Sequence, residues 1–226
     1  MKKLFLSLAV IATFFAATAQ DVPDKEPLQG EMSPEMSALK LATDLVKYGY
    51  AEETALPLID ALQIILYNPT QPLGTQPNDS TANSDLTAKA PAVSLDFNKI
   101  LEDAKKFAEG NEQLLALIDQ VELESETSSR GAVNGPKRGV FTLGGNRYTD
   151  FDVSFVKGYV AEVFVSGDGD TDLDLYVYDS NGNPIASDTD YTDDCYVNWV
   201  PKWTGRYTIR VVNRGPIPNN FIILTN

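Results

Sequence analysis

The sequence predicts an α+β chain: a helical N-terminal region followed by an all-β antiparallel sandwich of the jelly-roll kind. Three observations carry this expectation. Between residues 33 and 122 apolar side chains recur at helical spacing. From Gly139 onward they alternate with polar ones, the period of a half-buried strand. Turn-forming residues then separate the short runs at the regular spacing of a sandwich or barrel.

The first residues stand apart from both patterns. Lys2 and Lys3 precede an apolar stretch from Leu4 to Ala16, and Ala17-Thr18-Ala19 supplies the small-x-small pattern of a cleavage site. Residues 1–19 are therefore expected to be a secretory signal peptide, the stretch being shorter than the roughly 20 residues that span hydrocarbon. No cysteine follows it, so no lipid anchor is expected. No later segment is apolar enough to span a bilayer, so no transmembrane segment is expected after cleavage. The expected location is outside the cytoplasm: secreted, at the cell surface or in the periplasm.

Removing two lysines and no acids takes the formal charge from −14 to −16 (−14 − 2). Such a balance excludes nucleic acid, which is bound through Lys and Arg on phosphates. It suits a cation or a basic partner. There is no histidine, which removes the usual general base, the Ser-His and Cys-His pairs and most zinc sites. The single cysteine, Cys195, admits no intrachain disulfide and lies in a strand pattern, where a buried thiol is expected.

In chain order, residues 20–32 are polar, acidic and Pro-containing, and are expected to be a flexible leader. Residues 33–67 read as a helical hairpin. Ser33 is placed as an N-cap with Pro34 at the first helical position, Gly49 is placed as the end of the first helix, and Asn68-Pro69 stops the second. Residues 68–93 hold few large apolar side chains and read as a disordered linker. A second helical pair is expected over 94–122, with Gly110 closing one helix and Asn111 capping the next. Residues 123–138 read as another linker, and 139–226 as the sandwich. Within it about eight strands are expected, with a tight hairpin at Asn181-Gly182. The alternation puts Leu173, Leu175, Val177, Cys195, Val197, Trp199, Tyr207, Ile209 and Val211 inside.

Two acidic stretches lie in this β region. Asp168, Asp170, Asp172 and Asp174 alternate in the first, Asp179 follows, and Asp188, Asp190, Asp193 and Asp194 make the second; no Lys or Arg interrupts the whole run. A solvated acidic face is one reading, because two carboxylates about 7 Å apart repel by only about 0.6 kcal/mol in water. If the stretches meet at one edge, Ca²⁺ is the natural counter-ion, since it takes six to eight oxygens in flexible geometry. An EF-hand is excluded: Leu173 stands where that loop needs glycine. Tyr176, Tyr178, Tyr191 and Trp203 form a candidate stacking strip for a sugar or peptide, against the alternative of cross-strand pairing.

The run Gly167-Asp168-Gly169-Asp170-Thr171-Asp172-Leu173-Asp174-Leu175-Tyr176-Val177-Tyr178-Asp179, followed by Cys195 to Pro201, Trp203-Thr204-Gly205-Arg206-Tyr207 and Val211-Val212-Asn213, resembles the bacterial pre-peptidase C-terminal domain family over about residues 139–226. That resemblance implies a small non-catalytic sandwich appended to exported bacterial enzymes, some members binding calcium and some collagen or polysaccharide. Here no protease domain precedes it. The expectation is an exported, non-catalytic binding protein for a polysaccharide or protein ligand. The alternatives are an accessory subunit of a secreted hydrolase, a small carboxylate-dependent hydrolase, or a structural envelope protein.

Overall fold

The computed structural model describes residues 30–78, 93–127 and 135–226. The expected signal peptide, most of the leader and parts of both linkers lie outside the described residues. Among those described, four helices and nine strands follow one another: α1 Pro34–Ala51, α2 Ala55–Tyr67, β1 Gln71–Pro72, α3 Phe97–Phe107, α4 Glu112–Thr127, β2 Lys137–Leu143, β3 Tyr148–Phe155, β4 Ala161–Ser166, β5 Leu173–Tyr178, β6 Pro184–Asp188, β7 Asp194–Trp199, β8 Gly205–Asn213 and β9 Asn219–Thr225. None of these helices is long and apolar enough to cross a membrane.

The helix caps follow their residues. The Ser33 hydroxyl accepts from the Met36 amide at 3.4 Å, Asp96 accepts from the Lys99 amide at 3.0 Å, and Asn111 accepts from the amides of Gln113 and Leu114, both at 3.2 Å. Gly110 takes φ +81° after α3, the left-handed geometry that glycine tolerates best. Gly49 corrects the expectation. It does not end α1, which continues to Ala51. A Cβ there would sit 2.5 Å from a Leu58 carbon, so this glycine lets α2 lie close against α1.

The strands form a five-stranded sheet, order β1-β2-β9-β4-β7, and a four-stranded sheet, order β3-β8-β5-β6. Every expected strand after Gly139 forms. All pairings are antiparallel except β1 with β2. The residues placed inside by alternation are buried in the core between the two sheets, together with Phe151, Phe221 and Ile223. The Asn181-Gly182 turn differs in detail: Gly182 has φ +82° but Asn181 stays out of the left-handed region. The Asp179 carboxylate instead closes a longer loop, accepting from the amides of Asn181 and Asn183, both at 2.8 Å.

The helices cover the outer face of the five-stranded sheet. Phe164, Ile222 and Leu224 point away from the sandwich interior and share a second core with Leu39, Leu58, Leu62 and Ile100. Glu162, 1% exposed, joins the two layers. Its Oε1 accepts from the Ser33 amide at 2.8 Å and the Tyr196 hydroxyl at 2.6 Å, and its Oε2 from Asn226 at 3.3 Å. It thus lies at the N-terminus of α1, where the helix dipole favours a carboxylate. The described residues therefore stack as three layers: helices, five-stranded sheet, four-stranded sheet.

The linker composition proved compatible with order. Within residues 68–78, Gln71–Pro72 pairs with Lys137–Arg138, Leu73 is buried, and the Asn78 amide donates to Asp150 O at 2.8 Å. Pro72 lacks a donor, which confines this strand to the sheet edge. Similarly, α4 runs on to Thr127, and Lys137 already belongs to β2. Glu- and Ser-rich composition serves an exposed helix end as well as it serves a linker.

Candidate functional site

With one sheet covered by helices, no described element covers the outer face of the four-stranded sheet. Its register places Asp150, Arg210, Tyr176 and Ser187 in one row, and Asp152, Thr208 and Tyr178 in the next. Arg210 is clamped by Asp150 through two hydrogen bonds of 2.7 and 2.8 Å. Those bonds, ahead of the opposing effect of burial, hold the guanidinium well above its ordinary pKa. The same guanidinium lies 4.1 Å from the Tyr148 ring centre and 5.5 Å from that of Tyr178. Tyr176 and Tyr178 are near-parallel, 6.4 Å apart and 20° between planes.

At the end of this row is a cleft of about 420 Å³ lined by Asp172, Asp174, Tyr176, Thr189, Asp190, Tyr191 and Arg214. Tyr191 at its mouth is 97% exposed. Asp174, nearly buried, accepts from Arg214 Nε at 2.5 Å and from the Tyr176 hydroxyl at 3.0 Å. Burial, then the charge of Asp174 and Asp190, pushes the Asp172 carboxyl above its ordinary pKa. Its Oδ1 is shut off from solvent and accepts no hydrogen bond from the described residues. Burial and then the bond to Asp174 raise the Tyr176 phenol likewise.

The two acidic stretches do meet at one edge. The Gly167 amide donates to Asp193 O at 2.9 Å and the Leu173 amide to Thr192 O at 3.1 Å. Their carboxylates, however, divide between two places. Asp172, Asp174 and Asp190 enter the cleft. Asp193 and Asp194 face Lys47 of α1, and Asp168 lies close to Asp170 and Asp193. There Asp168 accepts from the amides of Asn220 and Asp170 at 2.7 and 3.2 Å, and Asp193 accepts from the Gly169 amide at 2.5 Å. Asp194 accepts from Ser166 at 2.5 Å and from Lys47 at 3.0 Å. Asp188 accepts from the Tyr196 amide at 2.8 Å. Asp190 accepts from the amide and hydroxyl of Thr192 at 2.8 and 2.7 Å. These oxygens turn toward amides, hydroxyls and ammoniums. Among the described residues no three metal-ligating side chains gather around one point.

Of the expected stacking residues, Tyr176 and Tyr191 line the cleft and Tyr178 stands beside it. Trp203 is elsewhere. It stacks on the buried Tyr207 at 6.1 Å and 15°, at the Gly205 end of β8, whereas Arg214 follows the opposite end. It covers the end of the core. Sequence reasoning missed Tyr148, Thr189, Arg210 and Arg214. The alternation of β8 does put Arg206, Thr208 and Arg210 on its outward side, a signal hidden by attention to the acids alone.

No family model matches this chain. No curated protein matches it either. The resemblance to the pre-peptidase C-terminal family therefore rests on the residues quoted for it. Solved structures similar to part of the chain include PliG of Aeromonas hydrophila, a periplasmic inhibitor of g-type lysozyme (13% identity, 43% of this chain and 93% of that one, TM-score 0.32). A fucose binding module of Streptococcus pneumoniae (17% identity, 38% and 68%, TM-score 0.28) is another. At these scores and identities the likeness assigns no function to this chain.

Proposed function

We propose that the protein is a non-catalytic, exported binding protein that takes a polysaccharide on the tyrosine face of the four-stranded sheet and in the adjoining acidic cleft. One observation carries this reading: Tyr148, Tyr176 and Tyr178 stand on the open sheet face, ordered by the ion pairs of Arg210 with Asp150 and Arg214 with Asp174. Rings already fixed lose little freedom on binding. A ring face suits the C–H face of a sugar, and carboxylates at the cleft accept from its hydroxyls.

The test is binding of the purified protein to cellohexaose, β-1,4-galactohexaose and chitohexaose. Binding to at least one is expected, with Tyr178→Ala weakening it about tenfold, the size of a loss of about 1.4 kcal/mol. No binding to any of the three, or unchanged binding in Tyr178→Ala, overturns the proposal.

A second reading is favoured by Asp172. A carboxyl with a raised pKa beside the acceptor Asp190, in one cleft, has the ingredients of glycoside hydrolysis. Reducing-end release from the same hexasaccharides tests it; the binding proposal expects none.

A further inference from the structure

We infer that Arg214 is the positioning residue of this surface: it ties the Tyr176 hydroxyl against Asp174, so that a ligand meets the ring of Tyr176 and not its hydroxyl. The inference rests on the glycan proposal above and adds the chemistry read at this position, the C–H face of a pyranose.

A tyrosine hydroxyl has one hydrogen to donate and two lone pairs. That of Tyr176 donates to Asp174 Oδ2 at 3.0 Å and accepts from Arg214 Nη2 at 2.9 Å. Arg214 Nε reaches the same Asp174 oxygen at 2.5 Å. The three groups close a small knot beside the ends of β5 and β8, and little of the hydroxyl's capacity is left for a ligand. Arg214 is itself held. Its amide donates to Asp172 O at 2.9 Å. The preceding Asn213 is tied to Leu143 O and Ile217 O at 3.1 and 2.8 Å. The following Gly215 approaches Thr171 so closely that a Cβ would lie 2.2 Å from its methyl carbon. The fork of two guanidinium nitrogens suits a carboxylate and a phenol at once; a lysine ammonium offers no such fixed pair.

A double-mutant cycle with cellohexaose, β-1,4-galactohexaose and chitohexaose tests this, Kd and Tm being read together. Tyr176→Phe and Arg214→Ala each release the ring by removing one end of the same tether. Each is expected to weaken binding about three- to tenfold, and the double variant no more than the weaker-binding single one, since neighbours acting as one unit are not additive. Arg214→Lys is expected not to restore affinity, and it replaces Arg214→Ala in the cycle should the alanine variant not fold. A merely structural role would lower Tm and leave Kd unchanged. That result, or fully multiplicative losses in the double variant, overturns the inference. If wild-type protein binds and Tyr178→Ala weakens binding while the cycle is multiplicative, the glycan proposal stands and the positioning role alone falls. If wild-type protein binds none of the three, both fall.

Discussion

In the five-stranded sheet, β4 and β9 are buried at every residue, whereas in the four-stranded sheet β8 and the second half of β5 alternate between buried and half-exposed positions. Both sheets contribute one face to the same sandwich core. The difference lies in what meets the other face: helices on Phe164, Ile222 and Leu224 in the first case, solvent on Tyr176, Tyr178 and Arg210 in the second. The comparison teaches that the helical region packs on one sheet and, among the described residues, leaves the outer face of the other uncovered. Charges divide the same way. Asp194, beside α1, has two lysines within 4 Å, at 3.0 and 3.8 Å. Asp172, in the cleft, has a buried oxygen with no donor among the described residues.

The sharpest way to break this comparison is to truncate one side chain on each outer face. Phe164→Ala should lower unfolding stability by about 3–5 kcal/mol in urea, as large-to-small changes in a core do. Tyr178→Ala should cost less than about 1 kcal/mol, since its ring faces solvent. Equal losses would mean that the two faces are not used differently. Next in size is Glu162→Ala, which leaves the donors of Ser33 and Tyr196 unpaired beneath α1. An expected loss of about 1–3 kcal/mol, with faster hydrogen exchange in α1 than in β5, would place the joint between layers at this carboxylate.

The two cleft-and-joint aspartates sharpen the comparison through pH. Burial pushes the Asp194 carboxyl up, but the Ser166 bond and the Lys47 and Lys40 ammoniums more than offset it, so its pKa is lowered. A lowered carboxyl stabilises above its unfolded pKa, and the contribution is lost as pH falls through the folded value. Asp194→Asn should therefore lower Tm at neutral pH and flatten the acid limb of the profile. For Asp172, raised mainly by burial, the sign reverses. Its charge opposes folding above its folded pKa, and the penalty disappears as pH falls below the unfolded one. Asp172→Asn should raise Tm slightly at neutral pH and leave it unchanged in acid. The smallest expected effect is that of chelation. Because most of the acidic carboxylates face amides, hydroxyls, ammoniums or a guanidinium, with Asp172 the exception, Tm should be the same in millimolar Ca²⁺ and in chelator. A shift of the size that saturating ligand gives, about 2.7 kcal/mol at a hundredfold excess over Kd, would establish the calcium site expected from the meeting of the two acidic stretches.

Much of this arrangement was legible in the sequence. The two-residue rhythm after Gly139 located each strand of the sandwich and its buried side, because a strand's faces follow directly from alternation. Ser33, Gly110 and Asn111 marked helix ends by local chemistry alone. Long-range facts were harder. The unbroken run Phe221-Ile222-Ile223-Leu224 is what a strand covered on both faces looks like, a signal that a reading of alternation alone passes over. The division of the aspartates depends on which side of the loop 167–172 each carboxylate takes, which spacing does not fix. Trp203 read as a surface aromatic because turns are usually exposed, yet its ring lies on Tyr207. Arg214 lies just beyond β8 and acquires its role only when β5 brings Asp174 and Tyr176 beside it.

The most direct test of the central claim maps the ligand surface by amide chemical-shift changes during titration with cellohexaose, β-1,4-galactohexaose and chitohexaose. Changes are expected in Asp172 to Tyr178, Thr189 to Tyr191 and Arg210 to Arg214, with α1 and α2 unmoved. Changes confined to the helical layer, or to the Trp203 end of the sandwich, would contradict the account.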